Sequence, residues 1–139
     1  MTPFRVDLRP GESPYRQIVF AATRAVVAGE LAPGAPFPSV RDLSQRLKIN
    51  PNTAHKAVAE LVRTGLLEVH PGVGTVVAAD WPVSAGDRRR LLRREVEELV
   101  VEAQRLGLGQ EEVMGAIAER WEQLAGRSPA RPRNAGARS

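Results

Sequence analysis

The first half of the chain carries hydrophobic residues at helical spacing. Ser13 is suited to cap a helix that starts at Pro14, and Gly29 is suited to end it. This pattern predicts a first helix from Pro14 to Gly29. Its apolar face consists of Ile18, Ala22, Ala25 and Val26.

Two shorter helices are predicted next. The Pro- and Gly-rich stretch 30–38 cannot continue a helix, and Ser39 followed three residues later by an aspartate is a capping signal for a second helix over 40–47. Asn50 as N-cap and Pro51 at the first helical position predict a third helix to about Thr64. Its core side holds Ala54, Ala57, Val58, Leu61 and Val62, and its polar side holds Asn52, His55, Lys56, Ala59 and Arg63.

The apolar period then changes from helical spacing to alternation. The segments 67–70 and 75–78 alternate around the turn sequence Pro-Gly-Val-Gly, which predicts a β-hairpin, or wing. A Gly-X-Gly turn without a following helix does not fit a phosphate-binding loop. The predicted order is helix, helix, helix, wing over residues 1–79.

A linker over 80–86 separates this part from two further amphipathic stretches. Asp87 to about Leu106 and Gln110 to Ala125, joined at Gly107-Leu108-Gly109, predict a two-helix antiparallel hairpin within 87–126. Two such helices cannot bury both apolar stripes alone, so we expect a homodimer. The stripes consist of Leu92, Val96, Leu99, Ala103 and Leu106, and of Val113, Met114, Ile117, Trp121 and Leu124, from which we assign every residue but Met114 to dimerisation.

The net charge of +4 is unevenly distributed. Residues 1–79 carry nine Lys and Arg against six Asp and Glu, 80–126 carry seven against ten, and 127–139 carry four against none. A basic balance favours a polyanionic partner only modestly. The basic tail 127–139 has no large apolar residue and is predicted to be disordered.

An arginine cluster at 88–90 and 93–94 has two interpretations. It could contact the DNA backbone beside the linker, or it could bind an acidic face of a partner copy. Arginines near a helix start oppose the helix dipole unless something compensates. The glutamates available for the second interpretation are Glu95, Glu97, Glu98 and Glu102.

The composition argues against catalysis and metal binding. The chain has no cysteine and only two histidines, His55 and His70, without a carboxylate cluster at ligand spacing. No stretch supplies a nucleophile with its base or a paired carboxylate site, so we expect neither an enzyme nor a cofactor. No apolar run is long enough to span a membrane and the N-terminus has no signal core, so we expect a cytoplasmic protein that does not contact membranes.

The order of elements predicts the fold class, mainly α-helical with a small β-hairpin: a winged helix-turn-helix followed by a helical hairpin. The third helix of such a fold can enter the major groove of DNA. Asn52 and Thr53 could then reach bases or phosphates, and unpaired amides of the first turn could face a phosphate. The alternative, that Asn50 and Thr53 only cap the helix and Lys56 is plain surface, stays open.

The segments SPYRQI and AGELAPGAPFPSVRDLSQRLKINPNTAHKAVAELVRTGLLEVHPGVGTVV closely resemble the DNA-binding domain of GntR-family bacterial transcription regulators. The resemblance rests on Pro38-Ser39-X-Arg41-X-Leu43, Asn50-Pro51-Asn52-Thr53 and Gly72-X-Gly74-Thr75 in this order. The short two-helix remainder is similar to the YtrA-like subfamily. That subfamily's C-terminal helices mainly dimerise, and its genes often accompany ABC-transporter genes.

The resemblance implies which positions approach DNA. Arg41 is the candidate for a bidentate guanine contact. Two departures weaken the transfer to the wing: Pro71 stands where a basic residue is common, and Val76 stands in place of the usual Phe. The implied DNA-binding positions are Arg41, Asn50, Asn52, Thr53, His55, Lys56, Gly72, Val73 and Gly74.

These observations predict a homodimeric DNA-binding regulator, a repressor acting on an inverted-repeat operator. The resemblance to the YtrA-like subfamily implies that it controls a transporter operon. An alternative is a protein-interaction or architectural module with only non-specific DNA affinity. A third is a regulator that senses an unknown small-molecule effector in a pocket between the linker, Trp81 and the C-terminal helices.

Overall fold

The computed structural model describes residues 3–125 and, for the backbone, residues 131–133. The chain divides after Trp81 into two compact units, which are described separately. The first, which we call the winged unit, contains α1 (Pro14–Val27), α2 (Val40–Leu47), α3 (Pro51–Arg63), β1 (Leu67–His70) and β2 (Gly74–Val77). The second, the helical unit, contains α4 (Ala85–Arg90), a π-helical turn (Leu91–Glu95), α5 (Val96–Arg105) and α6 (Gln110–Ala125).

Each helix of the winged unit begins at the cap that the sequence predicts. The Ser13 hydroxyl accepts a hydrogen bond from the Arg16 amide, and the Ser39 hydroxyl accepts one from Asp42 at 3.0 Å. The Asn50 side chain accepts one from the Asn52 amide at 2.7 Å. Because a capped amide needs no helical acceptor, these residues set the helix starts locally. Helix α1 ends at Val27, two residues before the predicted Gly29.

The core of the winged unit lies where α3 packs on both α1 and α2. Ile18, Leu43 and Leu61 supply one fully buried side chain from each helix. The hairpin covers one end of this core with Leu67 and Val77. Val76, which stands in place of the usual Phe, is also buried.

An extended N-terminal segment completes this core, and the sequence reasoning did not foresee it. Phe4 is only 4% exposed, and its ring stacks on Phe37 with centroids 5.3 Å apart. The Gln17 side chain accepts from the Arg9 amide at 2.7 Å and donates to the Arg9 carbonyl at 3.2 Å. The segment is therefore tied to the stretch before α2 by ring stacking and to α1 by hydrogen bonds.

The wing is an antiparallel hairpin in which Leu67 pairs with Val77 and His70 with Gly74. Its second strand starts at Gly74, one residue before the predicted start. The other edge of β2 is also bonded: the Gly34 amide donates to the Val77 carbonyl at 2.7 Å, and the Phe37 amide donates to the Thr75 carbonyl at 2.9 Å. The stretch 34–37 thus braces the hairpin from the side opposite β1.

The predicted linker over 80–86 is partly ordered into regular structure. Asp80–Pro82 form a short strand, β3, which pairs with β4 (Arg131–Arg133). Helix α4 begins at Ala85, not at the predicted Asp87, because the Ser84 hydroxyl caps it by accepting from the Asp87 amide at 2.9 Å. The rest of the tail predicted to be disordered lies outside the described residues.

The helical unit keeps a right-handed helical backbone from α4 through the π-helical turn into α5. A tight turn closed by the Leu108 amide on the Ala103 carbonyl, at 2.9 Å, leads to α6. The backbones of α5 and α6 make little close contact, so the predicted hairpin is not tightly packed. A groove of about 380 Å³ lies between them. None of the described helices is both long and apolar enough to cross a membrane.

Candidate nucleic-acid interface

Helix α3 presents its predicted polar side to solvent. Asn52, His55, Lys56, Ala59 and Arg63 are all exposed. Ala54, Ala57 and Leu61 on the opposite side are buried against the other helices. The face that carries the candidate DNA contacts is therefore uncovered within the winged unit.

The start of α3 differs from the prediction in one respect. Pro51 has no amide hydrogen, the Asn52 amide is taken by the Asn50 side chain, and the Thr53 amide donates to the Asn50 carbonyl at 2.9 Å. The expected unpaired amides for a phosphate are therefore already satisfied. Since the Asn50 carbonyl oxygen Oδ1 serves as the cap, its NH₂ group is the part that could donate to DNA.

Arg41 is the second residue of α2 and is exposed. Helix α2 packs on α3, so Arg41 belongs to the same rigid three-helix body as the α3 contacts. Lys48, which ends α2, has a left-handed backbone with φ of 55° and is also exposed. The sequence does not predict this conformation at Lys48, because a left-handed backbone usually occurs at glycine.

Arg63 is held by a neighbouring carboxylate. Its Nε and Nη2 atoms lie 2.9 and 2.7 Å from the two oxygens of Glu60. This bidentate bond lowers the pKa of Glu60 from its ordinary value of 4.5, against a small opposing effect of burial. The pairing makes Arg63 less available to a phosphate than Lys56, which lies about two turns nearer the helix start.

A shallow groove follows the exposed face of α3 and extends to the start of α1. Its wall includes the half-buried Tyr15, which sequence reasoning placed in no functional set. The sequence gives no local sign of this role, because Tyr15 is the second residue of α1 and reaches this face only through the packing of α1 on α3. The groove is lined by Tyr15, Thr53, His55, Lys56, Ala59, Glu60 and Arg63.

The wing tip is exposed and carries no basic side chain. Gly72 and Gly74 have φ of +80° and +118°, which a residue with a Cβ rarely adopts. Val73 between them is 75% exposed, and the Val73 amide closes the turn on the His70 carbonyl at 2.9 Å. His70 lies 3.1 Å from Glu68. The wing can therefore offer backbone groups and an apolar tip to DNA, but no phosphate-binding cation of its own.

Five of the nine residues assigned to dimerisation line the groove between α5 and α6: Val96, Leu99, Ala103, Val113 and Ile117. Ala103 alone among them is buried, beneath the turn at Leu108. Val113 and Leu124 are half-buried. The remainder are exposed: Leu92, Val96, Leu99, Leu106, Ile117 and Trp121.

Three packed helices, an exposed polar face on the third and a two-stranded wing define a winged helix-turn-helix protein of the DNA-binding class. Comparison with known proteins identifies the family. Residues 14–77 match the family model described as bacterial regulatory proteins, gntR family. The chain belongs to the GntR family of bacterial regulators, and its short layout is that of the YtrA-like members.

Relatives and a solved structure cover most of the chain. It is 34% identical over 103 residues to the uncharacterized HTH-type transcriptional regulator YhcF of Bacillus subtilis. The aligned region covers 74% of this chain and 85% of YhcF. It is 28% identical over 116 residues to the HTH-type transcriptional repressor YtrA of that organism, with 83% and 89% covered. A transcriptional antiterminator from Listeria monocytogenes superposes with a TM-score of 0.75 at 28% identity, covering 90% and 94%.

The family confirms the predicted fold class and the expectation that the chain is a transcriptional regulator and not an enzyme. Within residues 3–125, no three His, Asp or Glu side chains gather closely enough to hold a metal ion.

Proposed function

We propose that this chain is a transcriptional repressor that binds an inverted-repeat operator as a homodimer. The observation that carries the proposal is the uncovered polar face of α3, held in a rigid body with the exposed Arg41. A helix with such a face fits the major groove, where side chains distinguish base pairs by their hydrogen-bonding edges. Repression is inferred by analogy with YtrA, whose name describes a repressor.

The proposal gives each predicted site residue a role. Arg41 reads a guanine through its two-pronged guanidinium, and Asn52, His55 and Lys56 contact bases or phosphates from α3. Asn50 caps α3 with its side-chain oxygen and reaches DNA with its NH₂ group, and Thr53 reaches DNA with its hydroxyl group from the first turn. In the wing, Gly72, Val73 and Gly74 approach the duplex through backbone and apolar contacts.

Dimerisation is supported by the apolar surface of the helical unit. Leu99 and Ile117, on the two sides of the groove, are 45% and 40% exposed, and Trp121 is 71% exposed. Exposed apolar residues lining a groove of this kind are typical of a contact with another protein surface. A second copy is the proposed occupant, because two-fold symmetry would place two α3 helices on two half-sites about one helical turn, or a multiple, apart.

The YtrA-like layout extends the proposal to gene context: a transporter operon that includes this gene is the proposed target. The test is footprinting on the DNA upstream of the gene at moderate salt. A protected inverted repeat with half-sites about one turn or a multiple apart is the expected result. Absence of a protected repeat would contradict the proposal.

A competition assay separates this function from its alternative. Operator DNA should compete at least about a thousandfold better than random DNA of equal length. Equal competition would favour an architectural module with non-specific affinity. The small-molecule effector stays a prediction.

A further inference from the structure

A dense arginine cluster at the start of the helical unit has no place in the function proposed so far. It consists of Arg88, Arg89, Arg90, Arg93 and Arg94, all exposed. Arg90 lies 3.6 Å from Asp87 and 3.8 Å from Glu95, and Arg94 lies 3.5 Å from Glu98. Arg88, Arg89 and Arg93 have no ion-pair partner among the residues that the structure describes.

The placement of this cluster costs helix stability. The helical backbone that begins at Ala85 carries five of its six arginines in the first ten residues, whereas Glu97, Glu98 and Glu102 follow, with Arg105 in the last turn. Cations at a helix start and anions toward its end both oppose the helix dipole. The Ser84 cap and Asp87 in the first turn offset only part of this cost. An arrangement that costs local stability is typical of a segment with a binding role.

The cluster is also interrupted by an unusual backbone. The π-helical turn spans Leu91–Glu95, within the arginine-rich stretch. Such turns are rare and occur frequently at functional sites. Leu91 and Leu92 inside it are 54% and 66% exposed, so no internal packing explains the turn.

Few residues separate the cluster from the winged unit. Arg88 follows Trp81, the last residue of the winged unit, by seven positions. A chain of that length spans at most about 25 Å even when fully extended, which is close to the width of a duplex. The short connection therefore leaves phosphates beside an occupied half-site within reach of Arg88, Arg89 and Arg93.

We propose that Arg88, Arg89 and Arg93 bind backbone phosphates of the duplex that flanks each half-site. The proposal rests on DNA binding by the winged unit and adds a second, sequence-independent contact. Guanidinium matches phosphate in a two-pronged geometry, and the exposed stems allow three such contacts per chain. These contacts would supply cations that the wing tip lacks.

The test is the salt dependence of DNA binding by the full chain. The variant Arg88→Gln/Arg89→Gln is compared with Arg105→Gln/Arg120→Gln, which removes the same two charges from later parts of the helical unit. Each lost phosphate contact lowers the slope of log affinity against log salt by about 0.9. Because both subunits of the dimer carry the change, the first variant should lose four contacts and about 3.6 from the slope, so that wild type loses about 150-fold more affinity than the variant over a fourfold rise in salt. The control should keep the wild-type slope.

Two further measurements decide between outcomes. On a duplex trimmed to the half-sites, the first variant should match the wild type, because the flanking phosphates are gone. If the slope is unchanged and sedimentation shows a weakened dimer instead, the arginines bind the acidic face of a second copy and the proposal is overturned. The salt slope tests the arginine contacts and can be measured on a duplex of any sequence. The preference for operator over random DNA tests the proposed function and is measured separately.

Discussion

At the start of α3, Asn50 contributes to the fold and to the proposed site at once. Its side-chain oxygen Oδ1 accepts a hydrogen bond from the Asn52 amide at 2.7 Å, which leaves the side-chain NH₂ group for a ligand. Asn52, two residues on, is exposed, and its side chain makes no hydrogen bond in the described structure. Substitutions of the two asparagines can therefore distinguish helix capping, which involves the Asn50 side chain, from DNA contact, for which the Asn52 side chain is free in the part of the chain that the structure describes.

Replacing each asparagine with alanine tests this separation. Asn50→Ala should lower the free energy of unfolding by about 1 kcal/mol, because the Asn52 amide loses its acceptor. Asn52→Ala should leave stability within about 0.5 kcal/mol and weaken operator binding. Urea denaturation and DNA titration measure the two effects. An Asn50 variant as stable as the wild type would show that the cap contributes nothing.

Arg41 offers a test of base recognition. Arg41→Ala should cost about 1 to 3 kcal/mol of operator binding and relax the preference at one base pair, because a two-pronged guanine contact is lost. Binding of operators substituted at each position measures this. Arg120→Ala, on α6, is the control. Uniform weakening on all sequences would mean that Arg41 contacts phosphate instead.

The Glu60–Arg63 pair predicts a pH effect. Because its folded-state pKa lies below 4.5, Glu60 stabilises the folded state when pH is above that value, and this stabilisation is lost as pH falls through the lowered pKa. Arg63→Gln should therefore cost less than about 1 kcal/mol at pH 7, as a surface pair does, and nothing at low pH. Urea denaturation across pH measures the difference. Lys56→Gln should leave the acid limb unchanged.

At the scale of elements, the sequence predicts what is decided locally. Ser39 and Asn50 mark helix starts within the helices' own first turns, so α2 and α3 begin where expected. The N-terminal segment was missed because Phe4 meets Phe37 from 33 positions away, and no local period records that contact. The π-helical turn was missed because its residues fit an ordinary helical pattern.

Phe4 and Phe20 form a matched pair for testing the N-terminal segment. Phe4→Ala should lower the free energy of unfolding by about 3 kcal/mol, because a nearly fully buried ring is removed from the core. Phe20→Ala, at a side chain that is 68% exposed, should change it by less than about 0.5 kcal/mol. Thermal or urea unfolding measures both. Equal costs would mean that the segment does not stabilise the fold.

At the scale of the whole molecule, patterns identified the apolar stripes but not how α5 and α6 meet. The sequence predicts amphipathic helices equally well whether they pack on each other or on a second copy. The open groove between α5 and α6 shows that the two helices do not fully bury their apolar stripes against each other. Val100, which lines it, was outside the predicted set because it neighbours Leu99 and breaks the strict spacing.

Val100 and Val101 test the dimer with one chemistry at adjacent positions. Val100 lines the groove and is 43% exposed, whereas Val101 does not line it and is 59% exposed. Val100→Asp should convert a dimer to monomers in sedimentation velocity, because a charge would be buried without a partner. Val101→Asp should remain dimeric. Two variants that behave alike would place the contact elsewhere.

The double bracing of β2 has a consequence for the order of folding. Gly34 and Val77, which join the brace to the strand, are 43 positions apart, so a long loop must close before the wing is secured. Contacts between the neighbouring helices α2 and α3 span shorter stretches and form sooner. We expect α2 and α3 to pair first during synthesis, with the wing braced only after the chain has been made beyond Val77.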